Sequence, residues 1–119
     1  MWADDLGDRN SPLSANPGKL ASSFSVSGGL RVYGFSVYSS NVAAQFILVF
    51  DKSGLPADAS LPLYTIPVAA TTLVSDYFGP MGRVFTQGLV LCNSSTGTTK
   101  TIGSADCFFD VRYDNLPST

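Results

Sequence analysis

The chain has 119 residues, enough for one domain with a modest core and too few for two. Only 13% of them are charged, about half the usual share of about 25%, while the hydrophobic share is an ordinary 45%. A net charge of -2 with no Lys/Arg cluster excludes nucleic acid as a direct ligand, and the lack of His excludes Ser-His-Asp and Cys-His catalysis and histidine-bearing zinc sites.

Ser, Thr, Gly and Asn take the place of the missing charge. A surface of neutral hydroxyls and apolar patches suits packing against neighbours better than dispersal as a monomer. Every acidic residue is Asp, and Thr, Val, Phe and Tyr are plentiful, so helix is disfavoured from the start.

Residues 1–20 carry Pro12 and Pro17 and no hydrophobic period. They form an extended N-terminal arm, and residues 21–119 form the folded body. The arm has too little apolar content to fold alone, so it must lie against its own body or a neighbouring subunit. Trp2 and Leu6 are its candidate anchors, with Leu13 nearer the body. Asp4, Asp5 and Asp8 could gather a cation or meet basic groups on a neighbour, the plainer alternative being a solvated acidic terminus. The opening Met1-Trp2-Ala3-Asp4-Asp5 lacks the basic start and apolar stretch of a secretion signal, and no apolar run reaches membrane-spanning length, so synthesis in a cytoplasm and no membrane partner are expected.

Beyond the arm, alternation dominates. Residues 22–27 form a short predicted strand around Phe24 and Val26, ended by Gly28-Gly29. In residues 30–38 Tyr33, Phe35 and Val37 share one face, while Leu30, Val32 and Tyr38 share the other, so both faces have something to bury. Residues 44–50 place Phe46, Leu48 and Phe50 against Gln45, Ile47 and Val49, the doubly apolar pattern of a central strand. Residues 51–62 are turn-rich. Residues 63–70 return to strand, where Pro67 demands an edge or a bulge. Residues 73–78 and 83–92 follow, the second read as one long strand with Gly88 at a bulge or close backbone approach. Residues 93–105 are a Ser/Thr/Gly loop. The last strand, 106–113, sets Cys107, Phe109, Val111 and Tyr113 against Asp106, Asp110 and Arg112. About seven strands separated by turns predict an all-β antiparallel sandwich, jelly-roll-like in form.

Several short motifs admit both a chemical and a plainer structural reading. Asp106 and Asp110 could pair as in glycoside hydrolysis, but a solvated face paired with Arg112 is favoured. Asp51-Lys52-Ser53-Gly54 with Asp58 resembles a calcium loop without its closing Glu, so a turn is favoured. Gly97-Thr98-Thr99-Lys100-Thr101 lacks the Gly and the context of a phosphate loop. Asn93-Ser94-Ser95 fits a glycosylation pattern but has no secretion route. Cys92 and Cys107 could face each other across a hairpin, yet two buried thiols are favoured in a reducing compartment. The aromatics Tyr33, Phe35, Tyr38, Tyr64, Tyr77, Phe78 and Phe85 read as core more readily than as a sugar-stacking platform. No catalytic residue, cofactor or metal is expected.

A series of short motifs carries a resemblance over roughly residues 30–114. Gln45-Phe46 leading into Val49-Phe50-Asp51, then Leu55-Pro56-Ala57-Asp58, Pro67-Val68-Ala69-Ala70, Gly82-Arg83-Val84-Phe85, Leu91-Cys92-Asn93-Ser94-Ser95-Thr96, Lys100-Thr101-Ile102-Gly103 and Asp106-Cys107-Phe108-Phe109-Asp110-Val111 resemble small proteins encoded by tailed bacteriophages. The series has no known chemistry, so no functional residue is carried over. The resemblance implies a virion component, above all a capsid decoration or cement subunit. Its implied partners are other virion proteins, including the major capsid protein, and further copies of itself in a homo-oligomer. A tail or head-to-tail junction component and a carbohydrate-binding host-attachment module are the alternatives.

Overall fold

The structure, a computed structural model, describes the backbone of residues 13–15 and all of residues 18–116. Among the described residues nine strands appear in chain order: β1 (Leu13–Ala15), β2 (Ser23–Ser27), β3 (Leu30–Ser39), β4 (Gln45–Phe50), β5 (Tyr64–Val68), β6 (Leu73–Tyr77), β7 (Arg83–Phe85), β8 (Gly88–Ser94) and β9 (Cys107–Asn115). Among the described residues there is no helix, and hence none long and apolar enough to cross a membrane.

Two antiparallel sheets face each other. The first runs β1-β9-β3-β6, with β7 also pairing β3, and the second runs β2-β8-β4-β5. Because β6 and β7 pair opposite ends of β3, they act as one interrupted strand. Counted that way, the chain is a long hairpin folded at the β4–β5 connection, with pairs β1·β9, β2·β8, β3·β6/β7 and β4·β5. Successive pairs fall alternately in the two sheets, and β3·β9 and β4·β8 stitch each sheet together. That winding is an eight-stranded jelly roll, as the alternation and turn spacing predicted.

The N-terminal segment contributes β1 to the sandwich's own edge, with Leu13 opposite Tyr113 and Ala15 opposite Val111. Trp2, Asp4, Asp5, Leu6 and Asp8 lie outside the described residues.

The core lies between the sheets, with Phe35, Phe85 and Phe109 as its largest fully buried side chains. Phe78 bridges two of them, its ring centroid 6.1 Å from Phe35 and 6.5 Å from Phe85. Leu89 and Leu91 of β8 and Ile47 and Val49 of β4 line the other wall. The opposite face of the second sheet is apolar too. Leu48, Phe50, Val90 and Cys92 pack there with Phe46 and Ile102, beneath loops 51–62 and 95–106. Cross-loop hydrogen bonds between the Ala59 amide and the Lys100 carbonyl (2.8 Å) and between the Lys100 amide and the Ser60 carbonyl (2.9 Å) hold that cover. This second cluster accounts for the doubly apolar pattern of β4.

Two strands depart from simple alternation. In β3 both parities are buried in turn, Leu30 and Val32 first and then Phe35 and Val37. The register shifts between Val32 and Gly34, so the extra residue Tyr33 forms a bulge that flips the inward face. One face is buried throughout, not two. Residues 83–92 are likewise not one strand: β7 belongs to the first sheet and β8 to the second. The chain crosses between them at Thr86-Gln87, where the Asp51 carboxylate accepts from the amides of Thr86 (3.0 Å), Gln87 (2.8 Å) and Gly88 (3.3 Å). Gly88 is thus a corner, with φ of +148° and backbone packed tightly around it.

Pro67 sits in β5, an edge strand, as expected. At this open side the Tyr64 hydroxyl donates to Asp76 of the facing sheet (2.8 Å), and the Arg83 guanidinium lies 5.4 Å from the Tyr64 ring centroid. Burial and then that hydrogen bond raise the Tyr64 pKa, so the phenol stays protonated and keeps donating.

Candidate functional site: an interior polar lock and an uncovered sheet face

At one end of the sandwich the inward positions of four strands turn polar: Ser39 on β3, Gln45 on β4, Asn93 on β8 and Cys107 on β9, all buried. Such groups need partners to be buried without a large penalty. Asp106 supplies them. Its carboxylate accepts from Asn93 Nδ2 (2.9 Å), Asn41 Nδ2 (2.9 Å), Gln45 Nε2 (3.1 Å) and the Cys107 thiol (3.2 Å). Gln45 Nε2 also donates to Ser39 Oγ (2.8 Å), and Asn93 donates to the Ser104 carbonyl (2.6 Å) while accepting from the Gly103 amide (3.0 Å).

Burial opposes the charge on Asp106, but the hydrogen bonds from Gln45, Cys107, Asn93 and Asn41 outweigh it and hold the carboxyl below the usual carboxylate range. A carboxylate so saturated is a poor proton donor. The Cys107 thiol is pushed up to about 12 by burial and by Asp106, which opposes formation of a nucleophilic thiolate. The cluster is therefore suited to locking loop 95–106 and the β3–β4 turn to the core, not to turnover. Asp106 lies before the last strand and turns into this lock, so it does not share an exposed face with Asp110. Among the described residues Asp110 and Arg112 make no ion pair with each other.

The other sequence candidates resolve in the same way. Asp51 is occupied by the β7–β8 corner, whose amides hold its pKa low despite partial burial. Asp58 pairs with the buried ammonium of Lys100, which lowers the Asp58 pKa. The two ends of the calcium-like loop are thereby engaged separately, and the described residues hold no metal-ligating cluster. Lys100 is 4% exposed, so it offers no phosphate-binding cation. Asn93 is fully buried, which closes it to glycosylation.

Both cysteines are free and buried. Cys107 faces the core between the sheets, whereas Cys92 belongs to the cluster on the far face of the second sheet. They lie on opposite faces of that sheet and cannot bridge. Burial pushes the Cys92 thiol up to about 11. A raised folded pKa gives stability that is complete below the ordinary thiol value and is lost as pH rises through the folded value. The unfolding free energy from urea titration should therefore fall between pH 9 and 11, by up to about 2–3 kcal/mol from Cys92 at 1.36 kcal/mol per unit. Cys92→Ala should flatten that slope; an unchanged slope would show that the thiol is not desolvated.

Among the described residues, no loop covers the outer face of the first sheet. Residues 73, 75 and 77 of β6 and 108, 110 and 112 of β9 alternate outward, and Tyr38 points out between them from β3. Registration aligns them: Tyr38 is opposite both Leu73 and Phe108, Ser36 opposite Ser75 and Asp110, and Gly34 opposite Tyr77 and Arg112. The result is a continuous apolar row of Leu73 (61% exposed), Tyr38 (37%) and Phe108 (41%), with Tyr77 (69%) further along β6. Tyr38 and Tyr77, expected from sequence to be core aromatics, are instead exposed on this face. The row exists only because three non-local strands share one register.

No protein-family model matches the chain, and no curated protein matches it in sequence. Among solved structures, the coat protein of tobacco streak virus in a C2 crystal form is similar at 11% identity and a TM-score of 0.38, over 92% of this chain and 91% of that one. The tobacco streak virus coat protein dimer is similar at 10% identity and a TM-score of 0.38, over 92% of this chain and 90% of that one. The jelly-roll assignment rests on strand order and register, independently of these two likenesses.

Proposed function

We propose that this chain is a structural subunit of a virus particle, a capsid decoration or cement protein of a tailed bacteriophage. It strengthens the shell by burying apolar surface at junctions between shell proteins. The observation that carries this reading is the exposed row Leu73–Tyr38–Phe108, which no other described residue covers, beside a second apolar sheet face that loops 51–62 and 95–106 close. Contiguous exposed apolar surface on a chain so poor in charge fits a docking face. Jelly rolls also recur in viral capsid domains. The major capsid protein and further copies of this chain are the partners. Trp2 and Leu6 anchor the N-terminal arm on a neighbour, Asp4, Asp5 and Asp8 meet basic groups there, and Leu13 roots the arm in β1. Many weak contacts repeated over a symmetric shell add up through effective concentration.

The test compares survival of shells under heat or low salt with the full chain, without it, and with a chain lacking residues 1–12, a truncation that spares β1. Loss of protection on omission and partial loss on truncation are expected; shells indifferent to the protein would refute the cement role. Copy number separates decoration, with copies spread over the whole shell, from a tail or head-to-tail junction, with one ring of copies. The exposed rings of Tyr38 and Tyr77 also favour a second reading, a carbohydrate-binding module for host attachment. Glycan-array binding that Tyr77→Ala removes would support that reading over shell docking.

A further inference from the structure

We propose that the outer face of the β1-β9-β3-β6 sheet binds a second copy of this chain, face to face, about a two-fold axis running along β3. This deepens the virion reading above by naming one partner and its contact. The register itself suggests the symmetry. β6 and β9 flank β3 on either side, so a two-fold along β3 lays each β6 over the partner's β9.

Position by position, that operation matches chemistry. Leu73 meets Phe108 of the partner subunit, apolar on apolar. Ser75 meets Asp110 of the partner subunit, a hydroxyl donor on a carboxylate. Tyr77 meets Arg112 of the partner subunit, an aromatic face on a guanidinium, the pairing expected of a cation–π contact. Tyr38 and Ser36 lie on the axis and meet their own equivalents. A two-fold contact must be self-complementary in this sense, each residue type finding its match across the axis.

The charges point the same way. Asp110 and Arg112 make no ion pair or side-chain hydrogen bond among the described residues, although every other described Asp accepts a hydrogen bond from a named partner. They stand on one strand with opposite sign, so the face is neutral and a second copy meets no net repulsion. Sheets stacked face to face keep their strands within about 30° of each other, which retains these pairings near the axis.

Sedimentation of the full chain over a range of concentrations should show a monomer–dimer equilibrium. Leu73→Asp places a carboxylate against an apolar ring and should raise the dimer dissociation constant by about 100-fold or more. Because position 73 is exposed in the monomer, the unfolding midpoint should scarcely move when both chains are compared at concentrations well below the native dimer's dissociation constant. Geometry is read separately with a short bis-maleimide crosslinker, the native thiols being buried. Ser36→Cys should crosslink to itself, and Ser75→Cys should crosslink to Asp110→Cys in a mixture but not to itself. A chain that stays monomeric at all concentrations would overturn the proposal, as would a dimer insensitive to Leu73→Asp or one that crosslinks through position 75 alone. Shell protection, measured independently, stands or falls apart from these results.

Discussion

Gly88→Ala is expected to destabilise the fold by about 3 kcal/mol or more, through backbone strain and overpacking together. The site leaves no room for a side chain. A Cβ there would lie 2.6 Å from the Val26 carbonyl oxygen, 2.7 Å from the Lys52 carbonyl oxygen and 3.1 Å from the Ser27 Cα. All three are backbone atoms, so none can rotate away. The φ of +148° adds strain for any L side chain. Relief by backbone movement would disturb the β7–β8 corner, because Asp51 grips the amides on both sides of Gln87. That corner carries the chain from one sheet to the other, so its distortion would be felt by β8, the most completely buried strand. Gly54→Ala is the matched control. Nothing lies within 4 Å of its Cβ position, and the change should stay within about 0.5 kcal/mol. Urea unfolding of both variants checks the contrast, and equal midpoints would mean that the corner is not packed as described.

The same corner shows where sequence reading succeeds and where it stops. Gly88 within an apolar run signals a bulge or a close backbone approach, and the approach is present. What the run cannot reveal is that Val84 and Val90 lie in different sheets, since that depends on Asp51, more than thirty residues upstream, reaching the amides. The doubly apolar β4 was legible because a central strand under a loop cover has no polar side to show. In β3 the same signal had a different cause. A bulge at Tyr33 exchanged the faces, and a one-residue irregularity leaves no mark in composition.

The functional surface was the least legible part. Leu73 and Phe108 each alternate correctly on their own strands, yet their adjacency through Tyr38 depends on pairings between strands thirty or more residues apart. The polar lock was hidden for a related reason. Ser39, Gln45, Asn93 and Asp106 look like ordinary strand ends or loop residues, and only the jelly-roll winding gathers four of those ends at one place.

That lock leads to the second large effect: Asp106→Ala should cost roughly 2–4 kcal/mol, because one carboxylate partners donors from four segments of the chain. Some donors keep a second acceptor, Gln45 through Ser39 and Asn93 through Ser104, which caps the loss. Asp106→Asn is the sharper probe. It preserves the shape and removes the charge, and its amide group adds a donor where donors already converge. The folded Asp106 carboxyl titrates below its ordinary value, so its contribution is present above about pH 4 and is lost as pH falls through the depressed value. The stability gap between the native chain and Asp106→Asn should accordingly be widest near neutrality and should close on acidification toward pH 2. Asp51 and Asp58 also have lowered values and will steepen the acid unfolding of both proteins. They are common to both, so they leave the difference untouched, and a gap that stayed constant with pH would show that the lock holds through shape and not through the ionised carboxylate.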